Sequence, residues 1–308
     1  MFTVSIIIPC FNEEEVISST FNKLREVLSS VDWEAELIFV NDGSRDNTLN
    51  LLKKLRGEDT TVRILSFARN FGHQSAVSAG LKHAKGDAAI IIDADLQDPP
   101  ELMNRMVEMW RAGQGKIIHG KRTARLRENL FKKITAKLFY RLINILSDVS
   151  LPLDTGDFRL IDRQVIDSFN QLPEHNKYIR GLFPWLGYKA VPLEYKRDPR
   201  TAGVTKYTMK KMTKLAANGL LSFSKKPLSI SISIGMFSII FAILFASYAL
   251  LSYFSPKITA IPGWTSTLIV IIFFSGFQIL ILGILGSYIG MIFDEVKGRP
   301  EYVIEEII

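Results

Sequence analysis

The sequence predicts an α/β fold with a mostly parallel sheet, followed by a very apolar C-terminal part that crosses a membrane twice. Three observations predict it. Short apolar runs rich in β-branched residues alternate with helical patterns from Met1 to about Gly120. Three of those runs end in polar or acidic residues, Asn12 to Glu14, Asn41 with Asp42, and Asp93 with Asp95. No charged residue occurs from Leu228 to Phe254, nor again from Ile258 to Phe293.

The strand-like runs are "VSIIIPC" at 4–10, "AELIFVND" at 35–42, "VRILSF" at 62–67 and "AAIIIDAD" at 88–95. Between them lie helical patterns such as 13–29, which places Val16, Ile17, Thr20, Phe21, Leu24 and Leu28 on one face. Strands apolar on both faces, separated by helices, form parallel sheets covered on both sides. Ligands of such sheets bind beyond the carboxyl ends of the strands. The polar strand ends therefore point to one shared site.

The chain has 308 residues and a formal net charge of +7, with a mean hydropathy of +0.15. Each charge-free stretch exceeds the roughly 20 residues a helix needs to cross a hydrocarbon core about 30 Å thick. Pro256, Lys257, Pro262 and Gly263 mark a turn between them, so an antiparallel two-helix hairpin is expected. Lys206, Lys210, Lys211, Lys214, Lys225 and Lys226 precede the first span, whereas the turn carries only Lys257. The positive-inside rule then places the N-terminal part and the tail in the cytoplasm. The start, "MFTVSIIIPCFNEEE", lacks a basic n-region and a long apolar run, so it does not read as a secretory signal. Cys10 is the one cysteine, which precludes an intrachain disulfide. Anionic lipid headgroups account for the clustered positive charge, and no nucleic acid is required. The expected organisation is 1–200 as the cytoplasmic domain, 201–227 as a basic juxtamembrane helix, 228–293 as the two spans and 294–308 as a cytoplasmic tail.

A G-x-G-x-x-G fingerprint is missing after the first strand, which continues as Pro9-Cys10-Phe11-Asn12, and there is no Walker A loop. The chemistry is instead concentrated in "DADLQDPP" at 93–100. Asp93 and Asp95 are two residues apart and would share one side of a regular strand. With Gln97 they offer hard oxygen ligands suited to Mg²⁺ or Mn²⁺ rather than zinc. Such an ion completes its shell with water and substrate phosphates, which fits a diphosphate leaving group. Asp98 is expected to cap the helix that begins near Pro99.

The motifs "SIIIPCFNEEE", "VNDGSRDNT", "RNFGHQSAVSAG" and "DADLQDPPE" follow one another as in family 2 glycosyltransferases of the GT-A fold, a Rossmann-like, mostly parallel α/β class. The Asp-x-Asp with Gln97 and the prolines resembles polyprenyl-phosphate glycosyltransferases, among them dolichol-phosphate mannose synthases and bacterial undecaprenyl-phosphate (bactoprenol) glucosyltransferases. "GDFRLIDR" at 156–163, "IRGLFPWLGY" at 179–188 and "RTAGVTKY" at 200–207 extend the resemblance over essentially the whole chain, and the apolar hairpin resembles the bacterial branch.

The resemblance implies that Pro9, Phe11, Asn12 and Glu14 line a base and ribose pocket and that Asp42 accepts from base or ribose. It places Asp93 near the ribose and metal, and Asp95 with Gln97 on the metal. "ARNFGHQSA" would lie near the nucleotide, with Arg69 ranked second. Asp157 falls where the family has an acidic residue near the sugar, either as a base or as an orienting group. An ion pair with Arg159 or Arg163 is its structural alternative. The implied activity is inverting transfer of one hexose, glucose from UDP-glucose first, onto a polyprenyl phosphate at a bacterial inner membrane for cell-envelope glycosylation. GDP-mannose, UDP-GlcNAc and aminoarabinose derivatives are alternative donors. Relatives with such hairpins form oligomers, with a tetramer expected, and a lipid-sugar flippase would act downstream.

Between 128 and 148, Phe131, Ile134, Leu138, Leu142 and Ile145 recur at helical spacing with Lys132 and Lys133 off the stripe. Basic amphipathic helices of this kind lie in membrane interfaces. The stretch 204–226 reads as a second one. A phosphate monoester loses its second proton near pH 6 and arrives as a nucleophile, so cations matter more than a strong base. Candidates for holding the lipid phosphate are Arg122, Lys132, Lys133, Arg200 and Lys206. Thr205 stands where the family commonly has serine. A processive synthase would carry Q-x-x-R-W, which is missing here, and a non-enzymatic membrane scaffold would not need the intact acidic set.

Overall fold

The computed structural model describes residues 2–122, 155–175, 177–195, 224, 226–254 and 263–308. Eight strands form one sheet: β1 (Thr3–Cys10), β2 (Glu34–Asn41), β3 (Val62–Phe67), β4 (Ala88–Ile91), β5 (Ile117–Arg122), β6 (Thr155–Asp162), β7 (Ala190–Tyr195) and β8 (Ile304–Ile307). Their spatial order is β7-β5-β6-β4-β1-β2-β3-β8. The helices are α1 (Ile17–Leu28), α2 (Thr48–Glu58), α3 (His73–His83), α4 (Leu102–Arg111), α5 (Arg163–Asn170), α6 (Ile179–Trp185), α7 (Lys226–Phe254) and α8 (Trp264–Val296).

The centre of the sheet is parallel, β4, β1, β2 and β3 running the same way, as the apolar runs predict. Alternation along each strand feeds two cores. Ile6, Ile8, Leu37 and Phe39 face one side with Phe21 and Leu24 of α1 and Met103 and Met106 of α4. Ile7, Ile38 and Val40 face the other with Ala76 and Ala79 of α3 and Phe169 and Phe183 of α5 and α6. Strands with no exposed face must be apolar throughout. On α1 the buried residues are Ile17, Thr20, Phe21, Leu24 and Val27, close to the face the sequence predicts.

Beyond β4 the sheet turns mixed, because β6 runs antiparallel to both β4 and β5. Its Asp157 thereby comes to the same edge as the end of β4. The expected strand at 88–95 stops at Ile91. Leu96 adopts φ 53°, a left-handed conformation that bends the chain away from an extended path. Asp93 and Asp95 therefore lie beyond the regular strand and are not held on one strand face. Asp98 does not cap α4 either: the cap position is Glu101, and buried Asp98 accepts a hydrogen bond from the Tyr195 hydroxyl.

Two apolar helices follow, α7 of 29 residues and α8 of 33. Phe241 of α7 meets Phe274 of α8 with ring centroids 6.0 Å apart. Two spans are expected from the sequence. Among the described residues one stretch, Phe273–Val296, is long and apolar enough to cross a membrane, and none of it is buried. Ser231–Phe245 of α7 forms a shorter apolar segment.

After α8 the chain returns to the sheet. β8 pairs antiparallel with β3, the Ile64 and Ile308 backbones exchange hydrogen bonds of 2.8 and 3.0 Å, and Tyr302 stacks on Phe67 at 5.0 Å. The segment 294–308, expected as a cytoplasmic tail, supplies an edge strand at Ile304–Ile307. Covering the edge of β3 removes unpaired backbone groups that would otherwise template association.

Candidate active site

The site forms where β1, β2 and β4 end and the antiparallel β6 begins. Two turns are tied together first. The Asn12 side chain accepts from the Arg45 amide at 2.9 Å and Glu14 accepts from the Asn47 amide at 2.9 Å. The Asn12 amide donates to Ser44 at 3.0 Å and that of Glu13 to Thr48 at 2.9 Å. Asn12 sits at φ 53°, and with Leu96 it is one of two non-glycine residues at positive φ among the described residues. Asn12 lies two residues beyond β1 and Leu96 in the turn between β4 and α4, and backbone strain of this kind tends to be stored at functional sites. Pro9 is buried in β1 and Phe11 is half-buried beside this turn.

Asp42 is buried. Its carboxylate accepts from the Phe71 amide at 2.7 Å, the Gly72 amide at 3.0 Å and the Asn70 side chain at 2.8 Å. These bonds fix the loop before α3. Burial raises its pKa and the bonds from Phe71 and Gly72 oppose that rise. Gly43 makes the approach feasible: at φ +63° its position leaves 2.3 Å between a hypothetical Cβ and the Arg69 carbonyl carbon. Arg69 itself lies over the Phe71 ring at 4.0 Å.

The loop delivers His73 into the acidic centre. Its Nε2 is 3.3 Å from Asp157 and 3.7 Å from Asp93. Burial disfavours the imidazolium, but the hydrogen bond to Asp157 and the charge of Asp93 outweigh it and raise the pKa to about 9. Burial also pushes Asp93 up to about 6; His73 pulls it down, while Asp157, Asp98 and Asp95 push it further up. Asp95, half-buried, accepts from the Gln97 amide at 3.2 Å, and Gln97 is buried. Among the described residues no group of three His, Cys, Asp or Glu is arranged to hold a metal ion; the predicted ligands are two carboxylates and an amide.

Asp157 is the most constrained group. Arg180 of α6 grips it with two hydrogen bonds, Nε to Oδ1 at 2.8 Å and Nη2 to Oδ2 at 2.7 Å. Arg159 stands 3.7 Å away, whereas Arg163 bonds the Ala84 carbonyl and Asp167. Burial alone would raise the carboxyl, yet Arg180 and His73 hold it well below the usual carboxylate range. Bidentate guanidinium pairs are among the stronger and more directional contacts.

His73 and Arg180 escape the sequence reading as site residues. Each lies inside a motif quoted there, but neither motif shows that they converge on Asp157. Arg122 ends β5 opposite Tyr195. Lys132, Lys133, Arg200, Lys206 and the amphipathic segment 128–148 lie outside the described residues, as does most of the basic segment 201–227.

A largely parallel sheet with an acidic centre at its strand ends, matched by its relatives, defines a glycosyltransferase of the GT-A type. The glycosyl transferase family 2 model matches residues 5–169, and the chain belongs to that family. It is 44% identical to the Bacillus subtilis glycosyltransferase YkcC, over 98% of this chain and 93% of that one. It is 39% identical to the SfII prophage-derived bactoprenol glucosyl transferase of Shigella flexneri, covering 98% and 97%, and 39% identical to a prophage bactoprenol glucosyl transferase homolog of Escherichia coli, covering 99% of each. Among solved structures, glucosyl-3-phosphoglycerate synthase from Mycobacterium tuberculosis, in complex with Mn²⁺, UDP and phosphoglyceric acid, superposes with a TM-score of 0.50 at 21% identity, over 74% of this chain and 78% of that one. That likeness establishes the fold.

Proposed function

We propose that this glycosyltransferase moves a single glucose from UDP-glucose onto a polyprenyl phosphate such as undecaprenyl phosphate. The observation that carries the reading is Asp157, held ionised by Arg180 and His73 beside Asp93 at the strand ends. The lipid acceptor is supported by near full-length similarity to proteins named bactoprenol glucosyl transferase and by α8. The proposed arrangement keeps 1–200 and the tail on the cytoplasmic face, with 228–293 in the bilayer.

In this reading Pro9, Phe11, Asn12 and Glu14 border the nucleotide, and Asp42 acts behind them by holding the 70–72 turn. Crowded oxygens at Asp93 and Asp95 fit Mg²⁺ or Mn²⁺, with Gln97 beside them. When bound, such an ion neutralises charge developing on the departing diphosphate. The acceptor phosphate is already an anion near neutral pH, so no residue has to remove a strongly held proton. Asp157 is too acidic, in its Arg180 clamp, to serve as an efficient base near neutrality. It orients instead: a fixed carboxylate can accept from sugar hydroxyls and set the approach of the acceptor. Arg122, Arg200, Lys206, Lys132 and Lys133 are proposed to receive the lipid phosphate.

The test is direct transfer. Purified protein in detergent, undecaprenyl phosphate and UDP-glucose with Mn²⁺ should yield a glucosylated lipid phosphate by mass spectrometry. GDP-mannose and UDP-GlcNAc run alongside should give little product. No lipid product with any of these donors would overturn the reading, and preference for another donor would replace glucose alone.

A further inference from the structure

α3 begins with two adjacent polar residues that reach opposite supports of Asp157. His73 touches Asp157 directly, at 3.3 Å. Gln74 does not reach it. Its side-chain oxygen accepts the amide hydrogen of Ile179 at 2.9 Å, the first residue of α6. The first amides of a helix have no partner within that helix and need an outside acceptor. The residue preceding α6, Tyr178, makes no side-chain cap hydrogen bond, so Gln74 performs that task from a distance of 105 residues along the chain. One residue further along α6 is Arg180, with both of its bonds to Asp157. α6 is only seven residues long and contains Pro184, so it has few internal bonds to hold its own start. The α3 start is itself fixed through Gly72 and Asp42.

We propose that Gln74 is a positioning residue for the transfer: by capping Ile179 it sets the angle at which Arg180 meets Asp157. The inference rests on the orienting role given to Asp157 above. A misplacement of a catalytic contact by a fraction of an ångström lowers kcat while leaving ground-state binding nearly intact. The hydrogen bond that Gln74 accepts comes from Ile179 of α6, so removing the acceptor should act through that helix.

The experiment compares Gln74→Met, which keeps the shape and loses the acceptor, with Gln74→Glu, which keeps an acceptor oxygen. Gln74→Met should lower kcat about 10- to 100-fold with KM for UDP-glucose within about threefold of wild type; Gln74→Glu should recover most of that loss. Hydrogen exchange by mass spectrometry on the 177–186 peptide should speed up in Gln74→Met and not in Gln74→Glu. Combined with Arg180→Lys, Gln74→Met should add little further loss, as expected of residues acting through one contact. Unchanged exchange at 177–186, unchanged kcat, or losses that simply multiply in the double variant would overturn the proposal. So would equal failure of both Gln74 variants with a matching drop in melting temperature, which marks a general structural role. If wild-type protein transfers no sugar, the functional reading fails, and the exchange measurement still decides whether Gln74 orders α6.

Discussion

Arg180 and Asp157 meet edge to edge, through hydrogen bonds of 2.8 and 2.7 Å, with Asp157 almost wholly buried. An ion pair closed in this way keeps the carboxylate charged across the working pH range, so the pair supplies direction rather than a movable proton. Asp157→Asn should therefore retain partial activity, down roughly 10- to 100-fold. The pH–rate profile between 5 and 9 should keep its acidic limb near pH 6, where the lipid phosphate titrates and where Asp93 also ionises. Loss of that limb in Asp157→Asn would assign Asp157 as the base.

His73 links the site to stability. Its folded pKa of about 9 lies above the ordinary value of 6.5, so the folded state holds the proton more tightly. That contribution is fully present below pH 6.5 and is lost as pH rises through about 9. Thermal melts in EDTA should show wild type losing melting temperature between pH 7 and 9.5. His73→Gln should start lower and show a flatter slope over that window. Parallel slopes would separate His73 from the acidic pair.

Asp95→Asn tests the proposed ion site. The variant should insert into membranes and melt close to wild type, because asparagine keeps the shape of the side chain and Asp95 is only half-buried. Transfer should fall by at least about 100-fold at limiting Mn²⁺. Near-normal turnover would remove Asp95 from that role.

Gly43→Ala should disturb both fold and site. A Cβ there would collide with the Arg69 backbone at 2.3 Å, and the φ of +63° is itself costly for alanine. A loss of roughly 2–4 kcal/mol in denaturant unfolding is expected from overpacking and strain together. Activity should fall further than stability, since the displaced loop carries His73.

The parallel core was legible because buried strands leave a simple record: Ile6, Ile7 and Ile8 must all be apolar when both faces are covered. The outer strands leave a fainter one. β7 has Pro192 and alternating half-exposed residues at the edge, and β8 carries Glu305 and Glu306 in a four-residue run. The acidic cluster was legible as chemistry but not as geometry, because the left-handed turn at Leu96 leaves no pattern in a leucine. His73 could not be read as a site residue at all. Its partners lie 20 and 84 positions away in sequence, one just beyond β4 and one on β6, and they meet because β6 runs antiparallel beside β4.

The return of β8 to β3 has a mechanical consequence. A globular head joined to a membrane helix by one linker can tumble about that point. Here the chain leaves the sheet before α7 and re-enters it directly after α8, with Lys53 and Glu306 paired at 2.7 Å beside the seam and Glu295 at the helix end bonded to the His175 amide at 3.1 Å. These contacts tie the end of α8 to the sheet. In the membrane arrangement proposed above, the head would keep one face toward the bilayer, and an acceptor diffusing in that plane would meet the site from the same side.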